Sequence, residues 1–457
     1  MAQKDKITIA GAGLVGSLLS IILAKKGYQV DIYERRPDLR STIIDGGRSI
    51  NLALSDRGWK ALKIAGIEDE IVKNAIPMKG RVIHDVEGKT NFQPYGEEGQ
   101  AIYSVSRSGL NALLMDEAEK TGKVNIHFNE KCDDVDLESA KATFKNYESG
   151  ASAEVQSDLL LGTDGAFSAV RAAMQKTDRF SYSQEYIEHG YKELNIPPGK
   201  EGAFLIEKNA LHIWPRGHYM LIALPNPDGS FTCTLFFPFE GEGASFEALD
   251  SVSKARAFFE THFADALALM PDFDKDWAEN PTSSLVIIRC FPWSRNGKVA
   301  LLGDASHAIV PFYGQGMNSG FEDCSVFDAL LDEFSGDWNR ILPAFEKSRK
   351  PNADAIADLA MRNFIEMRDL TGDPEFILRK KIESWFHSKH PERWIPLYSM
   401  VTFTDISYAD ALEIGRKQDK IMQVVMQMPE VRNDFAVDAV EQRIIAGMKE
   451  YNLWHVN

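Results

Sequence analysis

The sequence predicts an α/β protein in three parts: a doubly wound nucleotide-binding unit, a second unit built on an antiparallel sheet, and a helical C-terminal region. Three observations predict it. The first is KITIAGAGLVGSLLSIILAKKGYQVDIYE (6–34), which reads as a β-branched run, a glycine turn, an apolar helix, a Lys-Lys-Gly stop, a second strand and an acid. The second is the change of character at 211–239, LHIWPRGHYMLIALPNPDGSFTCTLFFPF, where two apolar strands flank a Pro-Asp-Gly turn. The third is the loss of strand signals after about residue 340, where helical periodicity takes over in FEKSRKPNADAIADLAMRNFIEM.

In the first element Gly11 makes the tight turn, Gly13 lets backbone approach a pyrophosphate, Gly16 lets helix and strand pack, and Glu34 meets a ribose hydroxyl, a Rossmann-like fingerprint. An ordinary βαβ unit would leave that terminal acid unexplained. SVSRSGLNALLMDEAEKTG, from residue 104, carries a serine cap, apolar Leu110, Leu113 and Leu114 and a glycine stop, so Arg107 falls in the first turn of a helix and faces whatever its N-terminus binds. VNIHF (124–128) alternates as a strand, and DLLLG (158–162) is a buried strand running into TDGAFSAVR. In the apolar stretch Met220, Ile222 and Leu224 share one face, and residues 76–97 join the same sheet. VALLGDASH then puts a buried strand directly before Asp304. The expected units are 1–75 with 98–180 and 286–340 for the nucleotide, 76–97 with 181–285 for the second sheet, and 341–457 as a helical cover.

Composition narrows the functional classes. The chain has 457 residues, 44% apolar and 26% charged, with 51 basic against 67 acidic side chains. A net charge of -16 without a basic cluster excludes nucleic acid as the expected partner. Cys132, Cys233, Cys290 and Cys324 form no CxxC, and the histidines show no matching ligand spacing, so no structural metal is expected; His387 and His390 in HSKH read as a solvated face. MAQKDKITIAG enters a strand without an apolar signal segment, and no stretch approaches ~20 apolar residues, so a cytoplasmic protein without a membrane span is expected. A homodimer is compatible with all of this.

The stretch GDASHAIVPFYGQGMN (303–318) brings Asp304, Ser306 and His307 together as a hydrolytic triad would. It lacks a GxSxG elbow, and neighbours on one loop do not adopt triad geometry easily. Asp304 instead ends a parallel strand, where open α/β sheets bind ligands, and Gly314 and Gly316 free backbone amides just before a helix begins near Met317 and Asn318. With GAGLVG, Arg107 and DGAFSAVR (164–171), the chain returns to one ligand from four distant places, which suits FAD better than NAD.

GAGLVG with Glu34, DGAFSAVR, and GDASHAIVPFYGQGMN together resemble the class A FAD monooxygenases, the p-hydroxybenzoate hydroxylase superfamily. GRSINLALS (47–55), GRVIHD (80–85), QPYG (93–96), MRNFIEM (361–367) and RWIPLYSMVTFT (393–404) resemble the branch that hydroxylates L-kynurenine. The resemblance runs from the first strand to about residue 410. It implies FAD contacts at Gly11, Gly13, Gly16, Glu34, Arg107, Asp164 and Asp304, with Gly316, Met317 and Asn318 near the isoalloxazine. It implies that Arg81 and Tyr95 hold a substrate carboxylate and that Asn363 and Tyr398 close that end. Met220, Ile222, Leu224 and Phe236 become an apolar wall over the aniline ring, and Pro311, Phe312 and Gln315 the loop between ring and flavin. Tyr313 occupies a position whose aromatic varies in the family, which leaves the shape of the pocket open. Animal members carry a C-terminal membrane anchor, whereas this chain ends in KEYNLWHVN, as a soluble bacterial-type member would.

The implied reaction is hydroxylation of L-kynurenine to 3-hydroxy-L-kynurenine with NADPH and O2, through a flavin C4a-hydroperoxide, in tryptophan degradation. No side-chain nucleophile or metal is required, because the protein's part is to orient the substrate and exclude water. No second strand-linked GxGxxG is present, GEGAS (241–245) lying in a loop, so NADPH is expected as a transient co-substrate; its preference over NADH stays open. From spacing alone Arg81 reads rather as a surface charge beside Asp85, and only the resemblance gives it the carboxylate role. Two alternatives remain: a flavin monooxygenase of another aromatic acid, and a nicotinamide-dependent dehydrogenase, which would purify colourless. A flavin halogenase is disfavoured because RWIP (393–396) is only a fragment of WxWxIP.

Overall fold

A computed structural model describes residues 5–41, 51–370 and 373–453. The start of GRSINLALS, residues 47–50, and the last four residues of the chain lie outside them. The nucleotide-binding sheet has six strands in the order Ser294–Arg295, Val299–Leu301, Leu159–Gly162, Lys6–Ala10, Gln29–Tyr33, Val124–His127. All pairs are parallel except the first, an antiparallel edge. Leu159–Gly162 and Val299–Leu301 are buried throughout, as strands covered on both faces must be, and this makes them continuous apolar runs in the sequence. The apolar helix Leu14–Lys25 follows the first strand and is buried from Gly16 to Ala24.

Three strands at Glu130–Asp136, Lys141–Asn146 and Ser152–Gln156 form a separate antiparallel meander that the sequence does not announce. Its strands are half exposed and rich in Lys, Asp and Glu, so they lack an apolar run.

The second large sheet has seven strands, ordered Ser283–Phe291, Ser181–Ile196, Phe231–Pro238, Met220–Pro225, Ala210–Pro215, Gly80–His84, Thr90–Pro94. It departs from expectation in four respects. It is mixed rather than antiparallel, since Ala210–Pro215 pairs in parallel with Gly80–His84. Residues 286–291 belong to its edge strand and not to the nucleotide-binding unit. Ile76–Met78 pairs with Ile102–Ser106 in a small three-stranded sheet completed by Asn51–Leu54. Finally, 211–239 holds three strands, because a turn closes between Arg216 and Tyr219, with Arg216 N–H donating to the Tyr219 carbonyl at 3.0 Å and Gly217 at φ +72°. The Arg216 side chain serves the carbonyls of His84, Asp85 and His262.

Alternation along Gly80–His84 splits its side chains between two faces. Ile83 faces the core shared with Met220 and Phe236, and Val82 and His84 line a cavity of about 610 Å³ behind the sheet, with His212. There His84 bridges Asp265 at 2.8 Å and His212 at 2.9 Å, and His212 Nε2 meets the Glu207 carbonyl at 2.8 Å. Burial pushes His212 down to about 4, against the pull of that carbonyl. The unfolded imidazole titrates near 6.5, so between about pH 6.5 and 4 the unfolded chain binds the proton that the folded chain refuses, and stability falls as acid is added. The urea midpoint of His212→Gln is expected to fall less between pH 7 and pH 5 than that of the wild type.

The C-terminal region is helical from Trp338–Ile365 onward, a helix that crosses the expected boundary at 340/341. A π-turn, Glu366–Leu370, ends that helix, and Pro374–Lys389, Leu397–Phe403, Tyr408–Val425 and Asp438–Glu450 follow. Ile382, Phe386, Trp394, Met422, Val440 and Ile444 give them their own core. His387 and His390 bond the Trp394 carbonyl and Glu441. Among the described residues no helix is long and apolar enough to cross a membrane.

Candidate active site

Strand register gathers the first set of residues. Ala10 aligns with both Tyr33 and Gly162, and Gly162 aligns with Leu301, so Gly11, Glu34, Asp164 and Asp304 emerge together at the carboxyl ends of the parallel strands. Gly11 has φ +100°, and a Cβ there would stand 2.7 Å from the Thr163 carbonyl oxygen. At Gly13 nothing lies within 4 Å of where a side chain would begin, leaving backbone facing open space. At Gly16 a Cβ would overlap the Gly11 carbonyl, so helix and turn can approach only without it. Gly16→Ala is expected to cost about 1–3 kcal/mol by overpacking and to weaken flavin retention, measured by thermal midpoint and by flavin lost on gel filtration.

Glu34 accepts from Ala12 N–H at 2.9 Å and from Arg36 at 2.8 Å. Burial opposes its ionisation, but Arg36 prevails and holds the carboxyl below its usual range. Asp164 takes the Ala169 N–H at 2.7 Å on one oxygen, while its other oxygen is buried without a partner. Asn111 donates to the Ala12 carbonyl at 3.1 Å, and its own amide oxygen is likewise unpartnered. Two orphaned acceptors beside a glycine turn fit a ligand rich in hydroxyl and amide donors, as FAD is. Asp304 is enclosed by protein yet keeps accessible surface, so it lines an internal cleft. Burial pushes its carboxyl up, and Arg107, at the head of helix Arg107–Lys120, counteracts this.

The glycine-rich stretch lies against the N-terminal turn. A Cβ on Gly303 or Gly320 would collide with Val15, and the Cys324 thiol reaches the Val15 carbonyl at 3.7 Å. Ser306 donates to the Gly303 carbonyl at 2.9 Å, and His307 is bonded to Asp323 at 2.7 Å. Serine and histidine therefore serve the scaffold. The helix Gly316–Phe334 begins behind Gln315 with no side-chain cap, so its first amides remain available to a ligand. Asn318 uses its side chain internally, accepting from Ser55 N–H at 2.9 Å and donating to Ala53 and Gly314, each at 2.8 Å.

At the other end of this loop the aromatic residues assemble. Arg81 lies 5.3 Å from the centre of the Tyr95 ring and 4.8 Å from that of Tyr398. Tyr95 stacks on Tyr398 at 5.0 Å, and Tyr398 on Tyr313 at 5.5 Å. Among the described residues Arg81 forms no ion pair, and the buried Tyr95 hydroxyl finds no hydrogen bond of normal geometry although Arg81 and Tyr398 are close. Burial works against the Arg81 charge, yet the guanidinium stays protonated, with the Glu366 carboxylate favouring its charged form. Burial raises all three tyrosines, so they face it as neutral phenols.

Met220 and Phe236 are paired across adjacent strands, and Phe312 sits edge-on to Phe236 at 4.8 Å and stacked on Phe364 at 3.9 Å. Leu224, Tyr95 and Phe403 share a cluster against which Ile222 and Tyr398 pack. Asn363 donates to the Phe312 carbonyl at 2.7 Å and so holds the loop. Gln315 is buried and accepts from the Tyr408 hydroxyl at 2.8 Å; Pro311 is exposed at the loop's start. Four residues escaped sequence reasoning: Asn111, Arg57, Glu366 and Tyr408. None is itself a motif glycine or a periodic apolar position; Asn111, inside SVSRSGLNALLMDEAEKTG, and Glu366, inside MRNFIEM, lay within quoted stretches, while Arg57 and Tyr408 lay in none.

The family described as FAD binding domain matches residues 4–360. The kynurenine 3-monooxygenase of Christiangramia forsetii is 51% identical over 450 residues, 98% of this chain and 100% of that protein. That of Flavobacterium johnsoniae is 51% identical over 445 residues, 97% and 99% of the respective chains. Among solved structures, tetrameric 2-methyl-3-hydroxypyridine-5-carboxylic acid oxygenase matches with a TM-score of 0.63 at 22% identity, over 82% of this chain and 95% of that one, which shows a shared fold. An FAD-binding core joined to this aromatic pocket, with such relatives along nearly its whole length, places the chain in the kynurenine 3-monooxygenase family of FAD-dependent oxidoreductases.

Proposed function

We propose that the chain hydroxylates L-kynurenine at the ring carbon ortho to the amino group, using NADPH and O2. The observation that carries this reading is Arg81: an enclosed, permanently charged guanidinium without an ion-pair partner among the described residues, ringed by neutral tyrosines. Such a group is costly to bury alone and is matched by a carboxylate, which a planar guanidinium binds through two parallel hydrogen bonds. Tyr95 and Tyr398 hold hydroxyls beside it for the remaining lone pairs. The aminophenyl ketone then extends along Met220, Ile222, Leu224 and Phe236 toward Phe312, whose position Asn363 fixes. FAD, when bound, supplies reduction by NADPH and activation of oxygen. Gly11, Gly13, Gly16, Glu34, Arg107, Asp164 and Asp304 would hold its nucleotide and ribitol portions, and Gly316, Met317 and Asn318 would offer backbone to its ring. The protein's work is to orient the ring carbon and to keep water out.

The balance is L-kynurenine, NADPH, a proton and O2 to 3-hydroxy-L-kynurenine, NADP+ and water; escape of oxidant instead gives NADP+ and hydrogen peroxide. The test is turnover with NADPH and O2, measuring hydroxylated product against peroxide, with 4-hydroxybenzoate and anthranilate as comparison acids. The reading expects L-kynurenine to accelerate NADPH oxidation and to be hydroxylated. Acceleration by another acid, with L-kynurenine inert, would overturn the substrate and leave a monooxygenase of a different aromatic acid. A cytoplasmic location agrees with four buried cysteines, all of them unpaired.

A further inference from the structure

We propose that Tyr408 is a positioning residue for the flavin-side loop 310–315, and that Arg57 makes it part of one unit with the helix carrying Tyr398. Tyr408 opens the helix Tyr408–Val425, is fully buried, and donates its hydroxyl to Gln315 Oε1 at 2.8 Å. Gln315 is the residue behind which the helix Gly316–Phe334 begins, so its side chain fixes where the first amides of that helix point. Its other contact, with the Ser55 hydroxyl, is long at 3.4 Å. The tyrosine is thus the strong tether.

Arg57 explains why that tether belongs to the substrate end as well. Its guanidinium lies 4.1 Å over the Tyr408 ring, is nearly fully buried, and spends its donors on three elements. Nε donates to the Val401 carbonyl at 3.2 Å, one terminal nitrogen donates to the Ile406 carbonyl, and the other pairs with Glu322 on the helix behind Gln315. Val401 is one turn beyond Tyr398 on the same short helix. Arg57 therefore clamps the backbone of the Tyr398 helix and the ring of Tyr408 together, and the Tyr408 hydroxyl passes that position to the loop. A chain of buried, closely packed contacts transmits displacement instead of absorbing it. Docking of the C-terminal helices and placement of the flavin-side loop become a single event. Tyr408 touches neither ligand; it acts through Gln315.

This inference rests on the hydroxylation reading, and its test separates the two. Tyr408→Phe keeps the ring and its contact with Arg57 while removing the donor. Loss of one buried hydrogen bond with its acceptor stranded predicts a peroxide-to-product ratio raised about fivefold or more. The half-saturating L-kynurenine concentration and the thermal midpoint stay near the wild-type values, and the visible spectrum of the bound flavin shifts. Gln315→Met removes the same bond from the other side and is expected to give the same uncoupling, and the double variant is expected to be no worse than either single one. Unchanged coupling and spectrum in Tyr408→Phe, or additive losses in the double variant, would overturn the proposal. So would a uniform loss of all parameters that follows the thermal midpoint. Where Tyr408→Phe does not fold, Gln315→Met decides by the same criteria. If the wild-type protein hydroxylates nothing when given L-kynurenine, the hydroxylation reading fails, and the flavin spectrum of the variants still tests the tether.

Discussion

Arg81→Ala is expected to bind L-kynurenine roughly 30-fold or more weakly than the wild type while retaining its flavin, because truncating one member of a buried charge pair costs about 2–5 kcal/mol. The size follows from the setting. Arg81 is enclosed by protein and stands beside two stacked tyrosine rings whose own hydroxyls are neutral. Without it, the substrate carboxylate enters a cleft of low polarity with only phenolic donors. Arg81→Lys is expected to fall between the two, since an ammonium keeps the charge and loses the paired geometry. The measurement is titration of the flavin spectrum with L-kynurenine, alongside the flavin content of the purified variant. Unaltered affinity in Arg81→Ala would remove the carboxylate role and leave the FAD-binding half of the account intact.

Asp323→Ala is expected to lower folding stability by about 3–5 kcal/mol, the usual cost of removing one partner from a buried ion pair. Asp323 is fully buried and accepts from Arg349 at 2.7 Å, from His307 at 2.7 Å and from the Gly303 N–H at 2.9 Å, so the 303–307 turn and the helix of Arg349 lose their anchor together. Burial works against its charge, but His307 and Arg349 outweigh it and hold the carboxyl at about 2. An unfolded aspartate titrates near 3.9, so between about pH 4 and 2 the unfolded chain binds more protons than the folded one. The contribution of Asp323 is therefore complete above about pH 4 and is lost as the pH falls through about 2. Urea unfolding of wild type and Asp323→Asn across that range checks both: the wild type loses stability along this stretch, and the variant, already weakened at pH 7, loses less. A variant as stable as wild type at pH 7 would show that the pair contributes nothing net. Because Gly303 precedes Asp304, the same substitution is expected to loosen flavin binding.

The nucleotide half was legible in the sequence because its constraints are local. Gly11 needs a positive φ, Gly16 meets a backbone oxygen, and buried parallel strands must be apolar on both faces; each condition restricts residue type at a fixed spacing. Register then carries Gly11, Glu34, Asp164 and Asp304 to the carboxyl ends of the parallel strands without further information. The alternative triad at Asp304, Ser306 and His307, already disfavoured by the missing GxSxG elbow, meets a second objection that the chain order does not contain: the partner of His307 is Asp323, on the following helix.

The candidate substrate half was legible only through resemblance. Arg81 beside Asp85 looks like any surface charge, and Met220, Ile222 and Leu224 look like any sheet face. The turn at Arg216–Tyr219, the assignment of 286–291 to the second sheet and the parallel pairing of Ala210–Pro215 were settled by long-range hydrogen bonding, for which an apolar run carries no address. By itself, then, the sequence determined a three-part α/β chain with a nucleotide site at the end of its parallel strands. Only the tertiary structure decided that a lone guanidinium from one sheet would meet tyrosines from distant segments, and that Arg57 and Tyr408 would tie them to the flavin-side loop. Local backbone geometry restricts residue type and so leaves a pattern, whereas a contact across 344 positions, as between Arg57 and Val401, restricts only what the two groups can exchange.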